Sequence, residues 1–264
     1  MIRLIVNGAG GRMGRRIIAL ATEDKEIAIA AAFERPDHPD IGKDAGALSG
    51  VNAVGVALTP RREVAADVAV DFSHADSALA MIEWCAERGI GIVVGTTGMG
   101  AEGARRLDAA AKRVPCLLAA NMSLGVNVLL RIVRDVAAAL GDAYDVEIVE
   151  AHHNKKKDAP SGTALALGEA VAVGLGRKLD EVAVHGRHGM VGERSVKEIG
   201  FHAVRAGDIV GDHTVMFGGQ GERVEVRHVA TSRDTFVRGA LRAARFLAGK
   251  PPGRYTIADV LGLR

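Results

Sequence analysis

Aromatic side chains are scarce in this chain: one tryptophan, two tyrosines and six phenylalanines, 3% of 264 residues. A core must therefore be built from Ala, Val, Leu and Ile, and few rings are available for stacking on bases. Cysteine is scarcer still. Cys85 and Cys116 each sit inside an apolar segment, in no CxxC pair. That excludes a disulfide framework and leaves two reduced, buried thiols. No apolar run reaches the roughly 18 residues of a membrane span. The start, Met1 to Asn7, reads directly as a strand, without the charged-then-apolar pattern of a secretory leader. The expected location is the cytoplasm, with no membrane partner. Neither sign of charge dominates, with 34 basic and 32 acidic residues and a net charge of +2. Such a balance argues against a general nucleic-acid binder, which carries a basic excess on one face.

The chain is 48% hydrophobic and 25% charged, which suits a globular protein of one large or two modest domains. Arg3 to Asn7 is a short strand with a polar end, and Gly8-Ala-Gly-Gly-Arg-Met-Gly14 follows at once. Helical spacing runs from Arg15 to Ala21, and Ile27 to Phe33 forms a second strand that ends at Glu34 and Arg35. Strand, glycine-rich turn, helix, strand is the start of a dinucleotide-binding unit. Glycines let backbone approach a pyrophosphate, and a helix N-terminus offers unpaired N–H groups. The pattern is imperfect, because a GxGxxG reading from Gly8 finds Met13 where the third glycine belongs. The chain offers Gly8, Gly11 and Gly14 instead. Glu34 favours a free ribose 2′-hydroxyl and Arg35 a 2′-phosphate, so the pair implies use of both NADH and NADPH. The alternative is a plain surface ion pair, and Arg12 is either a phosphate ligand or a solvated first-turn residue.

Further strands are expected at Val68 to Ser73, Gly91 to Val94 and Val114 to Ala119, with helices over Ser77 to Arg88 and Glu102 to Lys112. Alternation of this kind implies a parallel doubly wound sheet, with ligands at the carboxyl ends of its strands. Phe72-Ser73, Gly95-Thr-Thr-Gly98 and Ala120-Asn121 fall at such ends. Asp37 to Val56 reads as loop with a minor strand. After a long helix from Ser123 to Leu140 the pattern changes. Strand-like runs at Tyr144 to Val149, Val182 to His185, Ile199 to Val204, His213 to Phe217 and Val224 to His228 follow, interrupted by one helix, Gly162 to Leu175. Strands after strands imply an open mixed or antiparallel sheet with a face that needs covering, and so self-association. A helix over Thr235 to Ala248 returns to the first domain. The fold class is α/β: a Rossmann-like doubly wound parallel sheet over 1–122, completed by 233–264, plus a second α+β domain with an open mixed sheet over 123–232.

The densest chemistry is Glu150-Ala-His-His-Asn-Lys-Lys-Lys-Asp-Ala-Pro-Ser-Gly-Thr163, placed between a strand and a helix. Four readings compete. Lysine runs are usually solvated surface, here followed by an ordinary helix cap. A metal site is disfavoured, since adjacent histidines on a strand point to opposite faces and no Cys or carboxylate lies at ligand spacing. Nucleic acid is disfavoured by the balanced charge. The fourth reading is an acid and anion site: a histidine that moves protons near neutral pH, a lysine to supply a cation or a proton, and a helix N-terminus suited to a carboxylate. Beside a nicotinamide domain, it describes a reductase of a small carboxylate-bearing compound.

This stretch resembles the signature of the 4-hydroxy-tetrahydrodipicolinate (dihydrodipicolinate) reductase family. Gly8 to Gly14, Gly95-Thr-Thr-Gly98, Asn121-x-Ser-x-Gly-Val-Asn127 and Arg205-Ala-Gly-Asp-Ile-Val-Gly-Asp-His213 are similar to that family in the same order. The resemblance implies that His152 and Lys156 are catalytic, Lys156 as proton donor. It implies that His153, Ser161, Gly162 and Thr163 hold a small dicarboxylate. It places the cofactor, NADH or NADPH, on Gly8, Ala9, Gly10, Gly11, Arg12, Met13, Glu34, Arg35, Gly95, Thr96, Thr97, Ala119, Ala120, Asn121 and Met122. It also implies reduction of the cyclic imine made from aspartate semialdehyde and pyruvate, in the diaminopimelate route to lysine, by a homotetramer. Met122 departs from the aromatic or other apolar residue expected there. A related two-domain dehydrogenase of aspartate-family metabolites, or a dinucleotide-sensing regulator without turnover, would not need the histidine-lysine block.

Overall fold

The computed structural model describes residues 1–263. In chain order its elements are β1 (Ile2–Asn7), α1 (Arg12–Thr22), β2 (Ile27–Phe33), α2 (Ala45–Leu48), β3 (Leu58–Thr59), β4 (Val68–Asp71), α3 (Ala75–Arg88), β5 (Gly91–Val94), α4 (Gly100–Ala110) and β6 (Pro115–Leu118). They continue with α5 (Leu124–Leu140), β7 (Asp145–His152), α6 (Gly162–Gly174), α7 (Leu179–Val182), β8 (Ala183–His185), β9 (Ile199–Arg205), β10 (Gly211–Gly218), β11 (Arg223–Ala230), α8 (Asp234–Leu247), β12 (Gly253–Tyr255) and α9 (Ile257–Leu261). Two compact units result. One is Met1–Leu124 with the C-terminal segment that begins at Asp234; the other is Gly125–Arg233.

The first unit is a seven-stranded, all-parallel sheet in the order β12-β6-β5-β4-β1-β2-β3. From β3 to β6 this is the doubly wound order, with the direction of winding reversing between β1 and β4. Both faces are covered, so the central strands are apolar throughout; all four residues of β4 and of β5 are buried. Ile17, Ile18 and Leu20 of α1 pack one face together with Ala240, Leu241 and Leu247 of α8. Met81, Ile82 and Trp84 of α3 pack the other with Leu107 of α4. The two thiols lie in this second cluster, and burial drives both up, Cys116 to about 12.

Two elements of this unit escape the sequence pattern. The strand β12 is three residues long and starts directly after Pro251-Pro252, too short to show a period; it adds to the sheet edge beside β6. The helix α2, inside the stretch read as loop, is one turn capped by Asp44, whose carboxylate accepts from the Ala47 amide at 3.0 Å. The final turn α9 carries a capping box between Thr256 and Asp259.

The second unit is a five-stranded mixed sheet, β11-β10-β7-β9-β8, in which β7, β9 and β8 are parallel and β10 is antiparallel to both of its neighbours. Alternation along β7 sends Val146 and Ile148 to one face, where they join Ile199, Phe201, Val215 and Phe217. Leu129 and Val133 of α5 and Leu167 and Val171 of α6 cover that face. On the opposite face Glu147 binds Arg187, Arg194 and His202. Burial alone would raise the Glu147 carboxyl, but these hydrogen bonds outweigh it and hold it at about 2. No helix among the described residues is long and apolar enough to cross a membrane.

Candidate active site

In the first unit the glycine-rich turn lies at the switch between β1 and β4. Gly8 takes a left-handed φ of +77°, and a Cβ there would lie 2.7 Å from the Phe72 carbonyl oxygen. Its N–H and that of Ala9 both donate to the Phe33 carbonyl at 3.0 Å, which ties the turn to β2. The third glycine of the imperfect motif finds its reason at position 14. A Cβ on Gly14 would stand 2.1 Å from the Gly8 carbonyl oxygen, so only glycine lets α1 pack this closely against β1. Gly11 precedes α1 without a side-chain cap, leaving the helix N-terminus suited to an anion. Arg12 is exposed at its first position, and Met13 packs against the core beneath.

Glu34 follows β2, where its carboxylate accepts from the Gly10 amide at 2.9 Å and the Arg35 amide at 3.0 Å. Arg35 pairs with Asp37 at 3.1 Å, both groups well exposed. A cavity of about 560 Å³ is bounded by Gly8, Gly11, Glu34, Arg35, Phe72 and Ser73, among others. Its wall also includes Pro60 and Arg62, which no motif in the sequence announces. Beneath it Asn7 and Asp71, both buried, hold the two strand ends together: Asn7 Nδ2 donates to Asp71 at 2.5 Å, and Thr96 donates to the same carboxylate at 2.5 Å. The Thr96 hydroxyl also accepts from the Ser73 amide at 2.9 Å.

These bonds refine what the cofactor residues can offer. The Thr96 side chain is engaged inside the protein, which leaves only its backbone to offer a ligand. Met122 is buried within the first unit's core, and its side chain serves packing. Gly95 sits against the Phe72 ring, Thr97 beside it is exposed, and Ala119, Ala120 and Asn121 are only partly buried or exposed. The cradle fits a dinucleotide: a capless helix start, a turn without side chains, an acid and an arginine at the next strand end, and a cavity joining them.

In the second unit the histidine lies inside the strand, since β7 runs on to His152 and does not stop at Val149. Strand alternation therefore puts Glu150 and His152 on the inward face beyond Val146 and Ile148, while His153 follows as a partly exposed residue. Glu150 is 1% exposed and accepts four hydrogen bonds. His152 Nδ1 lies 2.6 Å from one oxygen, the Ser161 amide donates to the other at 3.0 Å, and Arg205 donates to both at 2.7 and 2.8 Å. Burial would raise this carboxyl, but the bonds from Arg205, His152 and the Ser161 amide outweigh it and hold it below its ordinary value.

Ser161 caps α6, its hydroxyl accepting from the Ala164 amide at 3.1 Å and bonding His213 Nε2 at 3.0 Å. It is 2% exposed, so the hydroxyl is engaged with the cap and His213. Gly162, by contrast, has open space where its Cβ would be, and Thr163 follows it in the first turn. His213 meets the His152 ring edge-on at a centroid distance of 5.2 Å. Burial lowers the His213 pKa to about 4, with repulsion from His152 adding to it. Lys156 Nζ reaches the Asp158 carboxylate at 2.9 Å and holds that carboxyl below its ordinary range. The loop is fastened on both sides: the Ala206 amide donates to the His152 carbonyl, the Asn154 amide to that of Gly207, and Arg205 to that of Asp158.

Sequence reasoning singled out His152, His153, Lys156 and the start of α6, and the structure brings these together at one end of the second sheet. It named Glu150 as the start of the stretch and Arg205 and His213 as the ends of a family-like motif, but gave none of the three a role in the site. A signal existed for the first: an acid two residues before a histidine in an alternating apolar strand shares its buried face. Arg205 and His213 stand in a motif similar to the family's, yet nothing in that motif says that they meet Glu150 and Ser161, which they reach from β9 and β10.

The chain is similar to known proteins along its whole length. The family described as dihydrodipicolinate reductase matches in two parts, its N-terminal part over residues 2–122 and its C-terminal part over 125–261. A 4-hydroxy-tetrahydrodipicolinate reductase from Anaeromyxobacter sp. is 51% identical, covering 100% of this chain and 99% of its own. One of the same name from Thiobacillus denitrificans is 49% identical with the same coverage. Among solved structures, dipicolinate-bound dihydrodipicolinate reductase from Paenisporosarcina sp. TG-14 superimposes with a TM-score of 0.77 at 23% identity, covering 98% of each chain. A probable dehydrogenase from Thermotoga maritima gives 0.59 at 12% identity, covering 99% of this chain and 93% of its own. These two likenesses speak for the α/β fold. Matched in both halves and about half identical to full-length relatives, the chain belongs to the dihydrodipicolinate reductase family.

Proposed function

We propose that this protein reduces 4-hydroxy-tetrahydrodipicolinate (dihydrodipicolinate) to tetrahydrodipicolinate with NADH or NADPH, in the diaminopimelate route to lysine. The observation that carries the reading is the buried Glu150–His152 pair with Lys156 and the α6 N-terminus beside it, in a chain that matches the family from end to end. When bound, the reduced nicotinamide supplies a hydride. The chain's own residues do the rest.

Gly8, Ala9, Gly10 and Gly11 form a turn that lets the pyrophosphate approach the backbone, their own N–H groups being bonded within the protein, and Arg12 and Met13 offer it the first N–H groups and the dipole of α1. Glu34 takes a ribose hydroxyl, and Arg35 takes a 2′-phosphate where one is present. Gly95, Thr96, Thr97 and Ala119 to Met122 line the strand ends, largely through backbone. A substrate with two carboxylates meets hydrogen-bonding partners in the second unit: His153, and the first turn of α6 at Gly162 and Thr163. Ser161 shapes this turn from within. Lys156 donates the proton that accompanies the hydride, and His152 stabilises charge on the substrate as it develops. Asp158 keeps the lysine ammonium oriented until substrate arrives.

The open face of the second sheet carries exposed Val204 and Val229, which supports assembly through this face into a homotetramer. A biosynthetic role of this kind, with two free buried thiols, fits the cytoplasm. The decisive assay follows NADH and NADPH oxidation with freshly generated dihydrodipicolinate. Turnover with both cofactors is expected; cofactor binding without turnover would instead favour a sensing role.

A further inference from the structure

We infer that Glu150, clamped by Arg205, is a positioning residue that locks His152 with its proton on Nδ1 and so makes Nε2 the working atom. This rests on the proposed reductase reading for the identity of the reaction, but not for the geometry.

The argument begins with donors. Every group around the Glu150 carboxylate is one: the Ser161 amide, both terminal nitrogens of Arg205 and His152 Nδ1. A buried carboxylate held by a bidentate guanidinium is ionised at neutral pH and can only accept. The 2.6 Å contact therefore requires a proton on His152 Nδ1. In the neutral ring Nε2 is then a bare lone pair, and in the imidazolium it is the second N–H. The surroundings agree. A Cβ at Gly211 would come within 3.0 Å of Nε2, so the glycine keeps the approach to that nitrogen clear. His213 stands beside the ring at 75° and directs its Nε2 to Ser161, leaving the His152 imidazole without a competing partner from that side.

The clamp also joins the parts that have to stay in register. Arg205 holds Glu150 on β7 and the Asp158 carbonyl in the lysine loop, and the Ser161 amide links the same carboxylate to the start of α6. One buried acid thus sets the histidine ring, the loop bearing Lys156 and the helix that would receive a carboxylate. Orientation of a proton-handling ring by a carboxylate is worth orders of magnitude in rate where it has been measured in enzymes.

Glu150→Gln gives a specific expectation. The amide NH2 must displace one acceptor oxygen. The Ser161 N–H cannot reverse its polarity, and Arg205 presents donors to both sides. The NH2 therefore turns to His152, the one neighbour that can switch from donor to acceptor. The ring should move to the Nε2–H tautomer.

The test is long-range ¹H–¹⁵N spectroscopy of the full-length protein labelled at histidine, with the His152 signals assigned through His152→Asn. In the wild type the neutral ring should carry its proton on Nδ1. In Glu150→Gln it should shift to Nε2–H, with kcat down about a hundredfold or more and NADH affinity unchanged. A wild-type ring protonated at Nε2 overturns the inference, as does a Glu150→Gln protein that keeps the Nδ1–H tautomer. If Glu150→Gln does not fold, the wild-type spectrum alone decides. No substrate is needed for the spectra, so a chain without dihydrodipicolinate turnover but with an Nδ1–H ring would overturn the reductase reading and leave this one standing. Turnover together with an Nε2–H ring would do the reverse.

Discussion

Lys156 and Arg35 are both cations with a carboxylate partner, yet the structure gives them different freedom. Lys156 is 20% exposed and bonded to Asp158 at 2.9 Å in a loop fastened by Arg205. Its removal should act on chemistry alone: Lys156→Ala is expected to lower kcat about a hundredfold or more, as for loss of a general acid. The dissociation constant for NADH, read by fluorescence titration, should stay near that of wild type. A large loss of cofactor binding would make the lysine structural. Arg35 shares an exposed pair with Asp37, an arrangement worth at most about 1 kcal/mol and readily given up for a stronger anion. Arg35→Ala should therefore raise KM for NADPH about tenfold, the order expected for losing one phosphate-bound guanidinium, and leave KM for NADH nearly unchanged. Equal effects in steady-state kinetics would mean that Arg35 does not read the 2′-phosphate. Both residues were legible in the sequence. The pairing of each was not, because Asp37 and Asp158 are ordinary loop acids until the backbone turn places them.

The strands β7 and β10 carry the polar end of the second unit's core, and this has a consequence for stability against pH. His213 is 3% exposed, bonded to Ser161, and its Nδ1 has no hydrogen-bond partner among the described residues. Burial holds its pKa at about 4, against 6.5 for the ordinary group. A base with a depressed folded pKa is neutral in the fold but takes up a proton when the chain unfolds. Its contribution is therefore complete above pH 6.5, shrinks as pH falls from 6.5 to 4 and is flat below. The whole shift corresponds to about 3 kcal/mol. Glu147 adds a separate loss at lower pH, between 4.5 and about 2, because its carboxylate is the stabilised form. Urea unfolding of the wild type should thus show stability declining with acid through the first window, and His213→Gln should flatten that slope whatever its effect on stability at pH 7. An unchanged slope would show that another group titrates there. Most elements were visible in the sequence through their periods, since Ile27–Phe33 and Gly91–Val94 fall where they were expected. The end of β7 was misjudged because Glu150 and His152 break the apolar alternation while keeping its geometry. Short elements such as β12 hold too few residues to carry a period at all.

At the scale of the molecule, two sheets are closed differently. The parallel sheet has helices on both faces, and the mixed sheet has helices on one. The uncovered face, with Val204 and Val229 close to half exposed, predicts association. Light scattering should report four chains of 27.6 kDa, about 110 kDa in all, and charged replacements at Val204 and Val229 should lower that mass. A wild-type monomer at micromolar concentration would overturn the assembly. What the sequence determined by itself was whatever depends on neighbours along the chain. The glycine turn between strand and helix, the alternation of apolar strands with amphipathic helices, and the run from Glu150 to Thr163 are local patterns, and local patterns survive in one dimension. Only the tertiary structure decided which distant groups meet. Asn7 finds Asp71 across the switch point, and Arg205 and His213 reach Glu150, His152 and Ser161 from other strands. Those contacts come from strand register and burial, which make a lone acid costly until β9 supplies its partner, and no spacing in the chain records them.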